Sequence, residues 1–368
     1  MIKQSVIDEV RAQMDTQEVL QDLGVKFKRE TACCPFHKEH TPSFHIWRRQ
    51  NTYKCFGCGK SGDAITFLIE HEGKTFVESI EWLAAKYNVI VEYDQASAQE
   101  SQEKKDEREE IRGVLKWAHK KYEDLLHSLP EESDAWQFLT QRGYSQGTCR
   151  RWSLGFSPTD WKFVTSPLIN MGRLQPAISC GLVCPKEGNN FDMFRGRIII
   201  PIQNATGQLI GFGGRDITGS KEAPKYLNPS ESLVYNKQQT WFGLDKAIKA
   251  IKEEGYVYLV EGFFDLMSLH LTGMENTVAS CGTEVTDVQC KILKRYTSHV
   301  VICFDNDQDK ERSGKKNAGL EKMMKLINTF LKFDFKVEMI ELPGGGDPDE
   351  YTRRWKPEKI VMLESIQT

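Results

Sequence analysis

The sequence predicts a multidomain chain, α+β followed by α/β, and three observations predict it. Two pairs of ligand-type residues, Cys34/His37 and Cys55/Cys58, stand close together near the N-terminus. A charged stretch fills residues 94–110, and from Tyr256 onward apolar strand-length runs alternate with helical segments. The first marks a small domain built around a metal, the second a break between domains, and the third a largely parallel sheet with crossover helices. At 368 residues the chain also exceeds the usual size of a single core.

Composition narrows the class. An apolar share of 39% against 27% charged residues is that of a soluble globular protein and excludes wholesale disorder. No apolar run approaches the roughly 20 residues that span a bilayer. Residues 1–20, MIKQSVIDEVRAQMDTQEVL, read as an amphipathic helix carrying charges throughout, without the apolar core of a signal peptide. A cytosolic chain is expected, and there ten cysteines point to metal binding or catalysis rather than to disulfides. The net charge of -3 says little, but residues 26–60 hold eight Lys/Arg against two Asp/Glu.

Taken in order, the first element of note is the paired cluster. Cys34-Pro-Phe-His37 and Cys55-Phe-Gly-Cys58 are separated by seventeen residues. A tight turn with ligands at i and i+3 presents two donors to one ion, and four such donors close a tetrahedron around zinc. Pro35 stiffens one knuckle, while Gly57 and Gly59 free the backbone of the other. The intervening SFHIWRRQNTYKC reads as strand, turn, strand, as in a zinc ribbon. A closed four-ligand site is structural. Cys33 lies one residue off the spacing, and His40 and His45 read as surface or nucleic-acid-facing groups rather than ligands. Phe36, Phe44, Trp47, Tyr53 and Phe56 interleave with Lys38, Arg48, Arg49, Lys54 and Lys60, a combination that suits single-stranded nucleic acid. The competing reading is that these rings fill the small core, and it is preferred for Phe44 and Phe56.

Residues 64–87 follow with apolar positions at helical intervals across Gly73, which places the metal domain at 1–94. In 94–110, ten of seventeen residues are charged and the only apolar ones are two alanines. The stretch is a solvated helix or a flexible tether, and a linker is set at 95–110. Residues 111–143 look helical. A mixed region follows to 243, in which RIIIPIQNATGQLIGFGGR reads as a β-hairpin. The last third runs YVYLV, FFDLMSLHLTG, TVAS, DVQCKILKRYT, HVVICF, a helix to about residue 331, and FKVEMIEL.

Acidic residues follow three of these strands: Glu261 and Asp265 after YVYLV, Asp305 and Asp307 after HVVICF, Asp347 and Asp349 after ELPGGG. In open parallel sheets the site lies beyond the carboxyl ends of the strands, which would gather these groups at one edge. Converging carboxylates repel unless cations sit between them, and hard oxygen ligands select Mg2+ or Mn2+. Glu261 is the first candidate for a metal ligand or general base, and Asp265 a candidate support for the first helical turn. Each Asp-x-Asp alone is an ordinary surface feature; three at strand ends are a stronger signal.

The motifs CCPFHKEHTPSF, YKCFGCGKSGDAITFL, FRGRIIIPI, IGFGGR, PKYLNPSES, VEGFFD, SCGT, FDND and DPDEY, in that order, resemble bacterial and phage DnaG-type primases over nearly the whole chain. The resemblance implies a zinc-ribbon domain that contacts template DNA. It further implies an RNA polymerase core whose N-terminal subdomain covers 111–244 and whose Toprim catalytic subdomain, with a short tail, covers 245–368. The implied reaction is two-metal joining of ribonucleoside triphosphates into short primers on single-stranded DNA. Mg2+ or Mn2+ would be held by Glu261, Asp305, Asp307 and Asp347, with Asp265 and Asp349 completing the catalytic motifs. Arg142, Arg195, Arg197, Arg215, Lys225 and Lys237 fall on family positions for nucleotide phosphate or template. Without the family, 193–240 hold only six basic against three acidic residues, compatible with a solvated strand face.

Two departures stand out. QDKER intervenes after FDND before Ser313-Gly314, which makes Asp309 an additional candidate ligand. Cellular members carry a further helical domain that docks on the replicative helicase, whereas nineteen residues follow Asp349 here. A helicase partner through that contact is therefore not expected. A phage or mobile-element enzyme, a shortened chain and a separately encoded partner all fit, in the cytoplasm of a bacterium or an infected host. The alternatives to primer synthesis are strand cleavage by a Toprim nuclease or topoisomerase-like enzyme, and a non-catalytic zinc-ribbon DNA-binding protein. A topoisomerase needs a nucleophilic tyrosine in a large companion domain, for which little chain remains.

Overall fold

The computed structural model describes residues 2–37, 39, 41–72, 74–93, 95–186, 188–282, 284–303, 316–340, 347–354 and 366–367. They form two compact units, Met1–Glu103 and Lys104–Thr368. Among the described residues no helix is long and apolar enough to cross a membrane.

The first unit begins with α1 (Gln4–Gln13) and α2 (Thr16–Asp22) rather than the single helix expected. The break falls at Met14 because Asp15 turns its side chain to the free amide of Glu18, an N-cap that starts a new helix. Four short strands, β1 (Thr31–Ala32), β2 (Phe44–Trp47), β3 (Thr52–Cys55) and β4 (Ser61–Gly62), pair antiparallel in that order. Two helices follow, α3 (Ala64–Glu70) and α4 (Phe76–Lys86), the second restarted by a Thr75–Glu78 capping box. Phe44, Ile46, Tyr53, Phe67, Leu68, Ile80 and Leu83 close one core between sheet and helices. Asn51, in the left-handed region at φ 53°, ties the β2–β3 turn to the α1–α2 break. It accepts from the Thr16 amide at 2.7 Å and donates to the Met14 carbonyl at 2.6 Å.

α5 (Gln95–Ser128) runs through the charged stretch, so helix is the conformation those residues adopt, with 102–110 exposed. Ile111, Val114, Leu115, Ala118, Tyr122 and Leu126 then form its buried stripe. In the second unit, α6 (Asp134–Thr140), α7 (Gln146–Arg151), β5 (Gly155–Ser157), α8 (Thr165–Asn170), α9 (Leu174–Ser179), β6 (Val183–Cys184) and β7 (Phe191–Asp192) lead into the expected hairpin. Its strands are β8 (Arg197–Gln203) and β9 (Leu209–Asp216), and with β10 (Tyr226–Leu227) they form an antiparallel sheet of order β10-β9-β8-β5. Pro201 stands opposite Phe212 of β9 and lies beyond residues 197–199, the part of β8 that pairs with β5.

The last part is the alternating α/β region: β11 (Trp241–Phe242), α10 (Leu244–Glu254), β12 (Val257–Val260), α11 (Phe263–Leu271), β13 (Thr277–Ser280), α12 (Asp287–Lys294), β14 (His299–Ile302), α13 (Lys316–Leu331), β15 (Lys336–Met339), α14 (Pro348–Arg354) and β16 (Ile366–Gln367). The sheet order is β11-β13-β12-β14-β15-β16; the four central strands are parallel and the two edges antiparallel. From β12 the chain pairs first with β13 on one side, then returns to place β14 on the other. In open sheets such a reversal marks a crevice at the carboxyl ends of the strands, and Glu261 stands at that end of β12.

Candidate functional site

In the first unit, Cys34, His37, Cys55 and Cys58 converge with all ligand atoms within 4.8 Å of one another. Cys34 Sγ lies 3.8 Å from Cys58 Sγ, and Cys55 Sγ lies 3.9 Å from His37 Nδ1. Ligands about 2.3 Å from an ion at tetrahedral angles are about 3.8 Å apart, so the cluster has the dimensions of a zinc site. A surrounding shell holds the ligands. Glu39 faces His37 Nε2 at 3.2 Å, which leaves Nδ1 for the metal, and also accepts from the Cys34 amide at 2.7 Å and from Ser43. The Phe36 and Cys58 amides point at the sulfurs of Cys34 and Cys55. A Cβ on Gly57 would stand 2.8 Å from His37 Nε2, so the second knuckle requires glycine there. Burial pushes the Cys34 thiol up, a cost that a cation bound by the thiolate offsets. Cys33 is exposed and lies outside the cluster.

The β2–β3 hairpin gives the ribbon two faces. Phe44, Ile46, Tyr53 and Cys55 point inward, while His45, Trp47, Thr52 and Lys54 point outward. Phe44 is a core ring as expected. Phe56 is not: it is 62% exposed, edge-on to His45 at 5.2 Å with Lys54 Nζ 5.6 Å from its centroid. It sits one step after inward Cys55, so strand alternation turns it out. Trp47 is 44% exposed on the same face. Lys38 and His40 lie outside the described residues.

In the second unit, Glu261 follows β12 and is half-buried at the crevice, as is Asp347 at the start of α14. Asp347 caps that helix, accepting from the Glu350 amide at 2.6 Å. Asp265 and Asp349 are buried, and they join the two motifs. Asp265 Oδ2 accepts from the Gly262 amide at 2.9 Å, closing the turn that follows Glu261. Asp265 Oδ1 receives the Asp349 amide at 3.3 Å. The Asp349 carboxylate receives Ser268 at 2.7 Å and Arg353 at 3.2 Å, with Arg142 Nε 3.5 Å away. Asp305, Asp307 and Asp309 lie outside the described residues; the chain approaches them through Cys303, whose amide bonds the Leu259 carbonyl at 2.9 Å beside β12.

The basic positions differ in how free they are. Arg197 is 3% exposed and donates to the Gly214 and Pro224 carbonyls at 3.2 and 2.9 Å, fastening β8 to β9 and to the loop that leads into β10. Arg215 has Nε and Nη1 buried with no hydrogen-bond partner among the described residues, its guanidinium lying 4.8 Å over the Tyr226 ring. Arg142 stacks 3.8 Å over Phe138. Lys225 is exposed. Lys237 lies across Gly282 in the loop leaving β13, where a Cβ would come within 2.7 Å of its Nζ. Arg195 stacks 4.1 Å over Trp161, a 58% exposed ring that sequence reasoning missed. Its signal was a tryptophan in a Pro-Thr-Asp turn.

Three family models match in order: CHC2 zinc finger over 2–99, DNA primase catalytic core N-terminal domain over 121–248, and Toprim-like over 258–352. The structure is similar to the zinc-binding and RNA polymerase domains of the Aquifex aeolicus primase, at 32% identity and a TM-score of 0.62, covering 98% of this chain and 86% of that one. The chain belongs to the DnaG-type primase family. A Clostridium acetobutylicum DNA primase is 33% identical over 99% of this chain and 59% of its own length, so the chain spans about three fifths of that relative. A DnaG primase catalytic domain bound to ssDNA is similar over 70% of this chain and 78% of that one, at 29% identity and a TM-score of 0.62. Together with the CHC2 match, the geometry of the four ligands makes the zinc structural in this primase-family chain.

Proposed function

We propose that this chain joins ribonucleoside triphosphates into short RNA primers on single-stranded DNA. The observation that carries the reading is the tying together of the first and third acidic motifs by the Asp265–Asp349 bond, at the crevice of a parallel sheet in a primase-family chain. Glu261 and Asp347, with Asp305 and Asp307, are the oxygen donors suited to divalent ions. When bound, two such ions would activate the primer 3'-hydroxyl and stabilise the departing pyrophosphate. In the reaction the 3'-oxygen bonds to the α-phosphorus of the incoming nucleotide, the bond to the β-phosphate oxygen breaks, and the hydroxyl proton leaves to solvent. Arg215, with two buried donors in want of an acceptor, and Lys237, at the same sheet edge as the crevice, suit triphosphate oxygens. Arg195 on Trp161, with Lys225 and Arg142, suits a template strand; Arg197 supports them from within the sheet.

The test is incubation with a single-stranded template, Mg2+ or Mn2+ and labelled ribonucleotides. Short template-dependent RNA is expected; nicked template, or no product at all, would sink the reading. The zinc ribbon's outer face is read as a template contact. Phe56→Ala should therefore weaken oligonucleotide binding by about 1–3 kcal/mol in fluorescence anisotropy, the usual worth of one stacked base. Lys54→Ala should lower the slope of log affinity against log salt by roughly one. Unchanged binding by both variants would place the template elsewhere.

A further inference from the structure

Ser268 lies mid-way along α11, 3% exposed among apolar residues. A buried helical serine ordinarily satisfies its hydroxyl on the carbonyl four residues back. Here that carbonyl, of Phe264, receives Tyr144 Oη at 3.2 Å. Tyr144 Oη also lies 2.9 Å from Ser268 Oγ, and Ser268 Oγ lies 2.7 Å from Asp349 Oδ1. Counting protons fixes the direction. A carboxylate only accepts, so the serine proton goes to Asp349, and the single Tyr144 proton is shared between the Phe264 carbonyl and Ser268 Oγ. Burial pushes the Tyr144 phenol well above its ordinary pKa, which keeps it a donor. The result is a chain of hydroxyls, ended by a charge, from the α6–α7 loop through α11 to α14, and each bond polarises the next.

Asp349 is the residue through which α14 is held to α11. Its amide is bonded to Asp265, and Asp265 in turn closes the Gly262 turn beside Glu261. Its carboxylate is taken up by Ser268, Arg353 and Arg142, and Asp347 stands at the head of the same helix. We propose that Tyr144 and Ser268 are positioning residues for the acidic site: their hydroxyl relay fixes Asp349, and through α14 it sets Asp347 relative to Glu261. The inference rests on the primer-synthesis reading given above, in which Glu261 and Asp347 hold divalent ions.

The experiment uses the full zinc-loaded chain with Ser268→Ala, Tyr144→Phe and the double variant. Mn2+ affinity is measured without nucleotide by electron paramagnetic resonance of the free ion. The kcat and template KM of primer synthesis and the melting temperature without divalent ions are measured alongside. Each single variant should weaken Mn2+ binding by about threefold to tenfold, below the usual loss for a residue touching a metal ligand directly, because the relay acts at one remove. The kcat should fall with it, and template KM should stay. The double variant should be no worse than Ser268→Ala in Mn2+ affinity, since Tyr144 reaches Asp349 only through the serine. Ser268→Thr, which keeps the hydroxyl, should restore most of the loss. If Ser268→Ala fails to fold, Tyr144→Phe carries the test alone, since it removes one oxygen and leaves the ring in place. Variants that melt earlier but match the parent in Mn2+ affinity and kcat would overturn the positioning role, as would additive losses in the double variant or no rescue by threonine. A parent that neither binds Mn2+ nor makes RNA would overturn the function reading and the positioning role together. A working parent with indifferent variants would overturn the second alone.

Discussion

Glu261→Gln should reduce primer synthesis on the order of a thousandfold while leaving the melting temperature of the chain nearly unchanged. The substitution keeps size and one acceptor oxygen but removes one negative charge from the proposed ion-binding edge, and loss of a proposed direct ligand should cost more than loss of a residue that only supports one, roughly 10–100-fold. Glu261 leaves the carboxyl end of β12 directly, so its backbone is fixed by a central strand and little can move to compensate. Single-turnover synthesis with saturating nucleotide, together with a Mn2+ titration, measures the effect. A variant that retains a tenth or more of the parental rate would remove Glu261 from the metal site.

Cys55→Ser, or chelation of zinc, should unfold the first unit and leave the second folded. Apparent zinc binding in small finger domains is worth about 10–16 kcal/mol, as large as the whole net stability of an ordinary domain. Cys55 is the residue for which substitution should tell most. It is fully buried, it stands opposite core residue Phe44 in the β2–β3 ladder, and it provides the thiol approached by Ser43 at 3.2 Å. Calorimetry should lose the transition belonging to residues 1–103 and keep the other, with zinc release followed by a chromogenic chelator. An unchanged first transition in the metal-free chain would show that the aromatic core of Phe44, Tyr53 and Phe67 suffices by itself.

The zinc ligands were legible in the sequence because spacing alone determines which donors a knuckle can present. The parallel sheet was legible too, since buried strands read as continuous apolar runs and α11 to α13 read as the helical segments between them. Other features depend on tertiary contacts that no local pattern encodes. Arg197 reads as a phosphate ligand until the structure turns it inward onto two carbonyls. Asp349 reads as a catalytic carboxylate of the third acidic motif, and its carboxylate is taken up by Ser268, Arg353 and Arg142 from three separate segments. Phe56 is a different case. Its outward direction follows from alternation with Cys55, which here outweighs the pull of its hydrophobic ring toward the core. Trp161 became visible only when Arg195, distant in sequence, was found stacked on it.

The two-faced β2–β3 hairpin bears on how the first unit acquires its fold. Cys55 pairs with Phe44 and Lys54 with His45, so a slip of one residue would present a lysine where a thiolate is needed. The buried inner face of Phe44, Ile46 and Tyr53 already disfavours that slip, and the metal adds a second criterion to it. Zinc thus acts as a checkpoint on strand alignment during folding: only the native register can capture the ion, and misaligned chains remain open to rearrangement until they do.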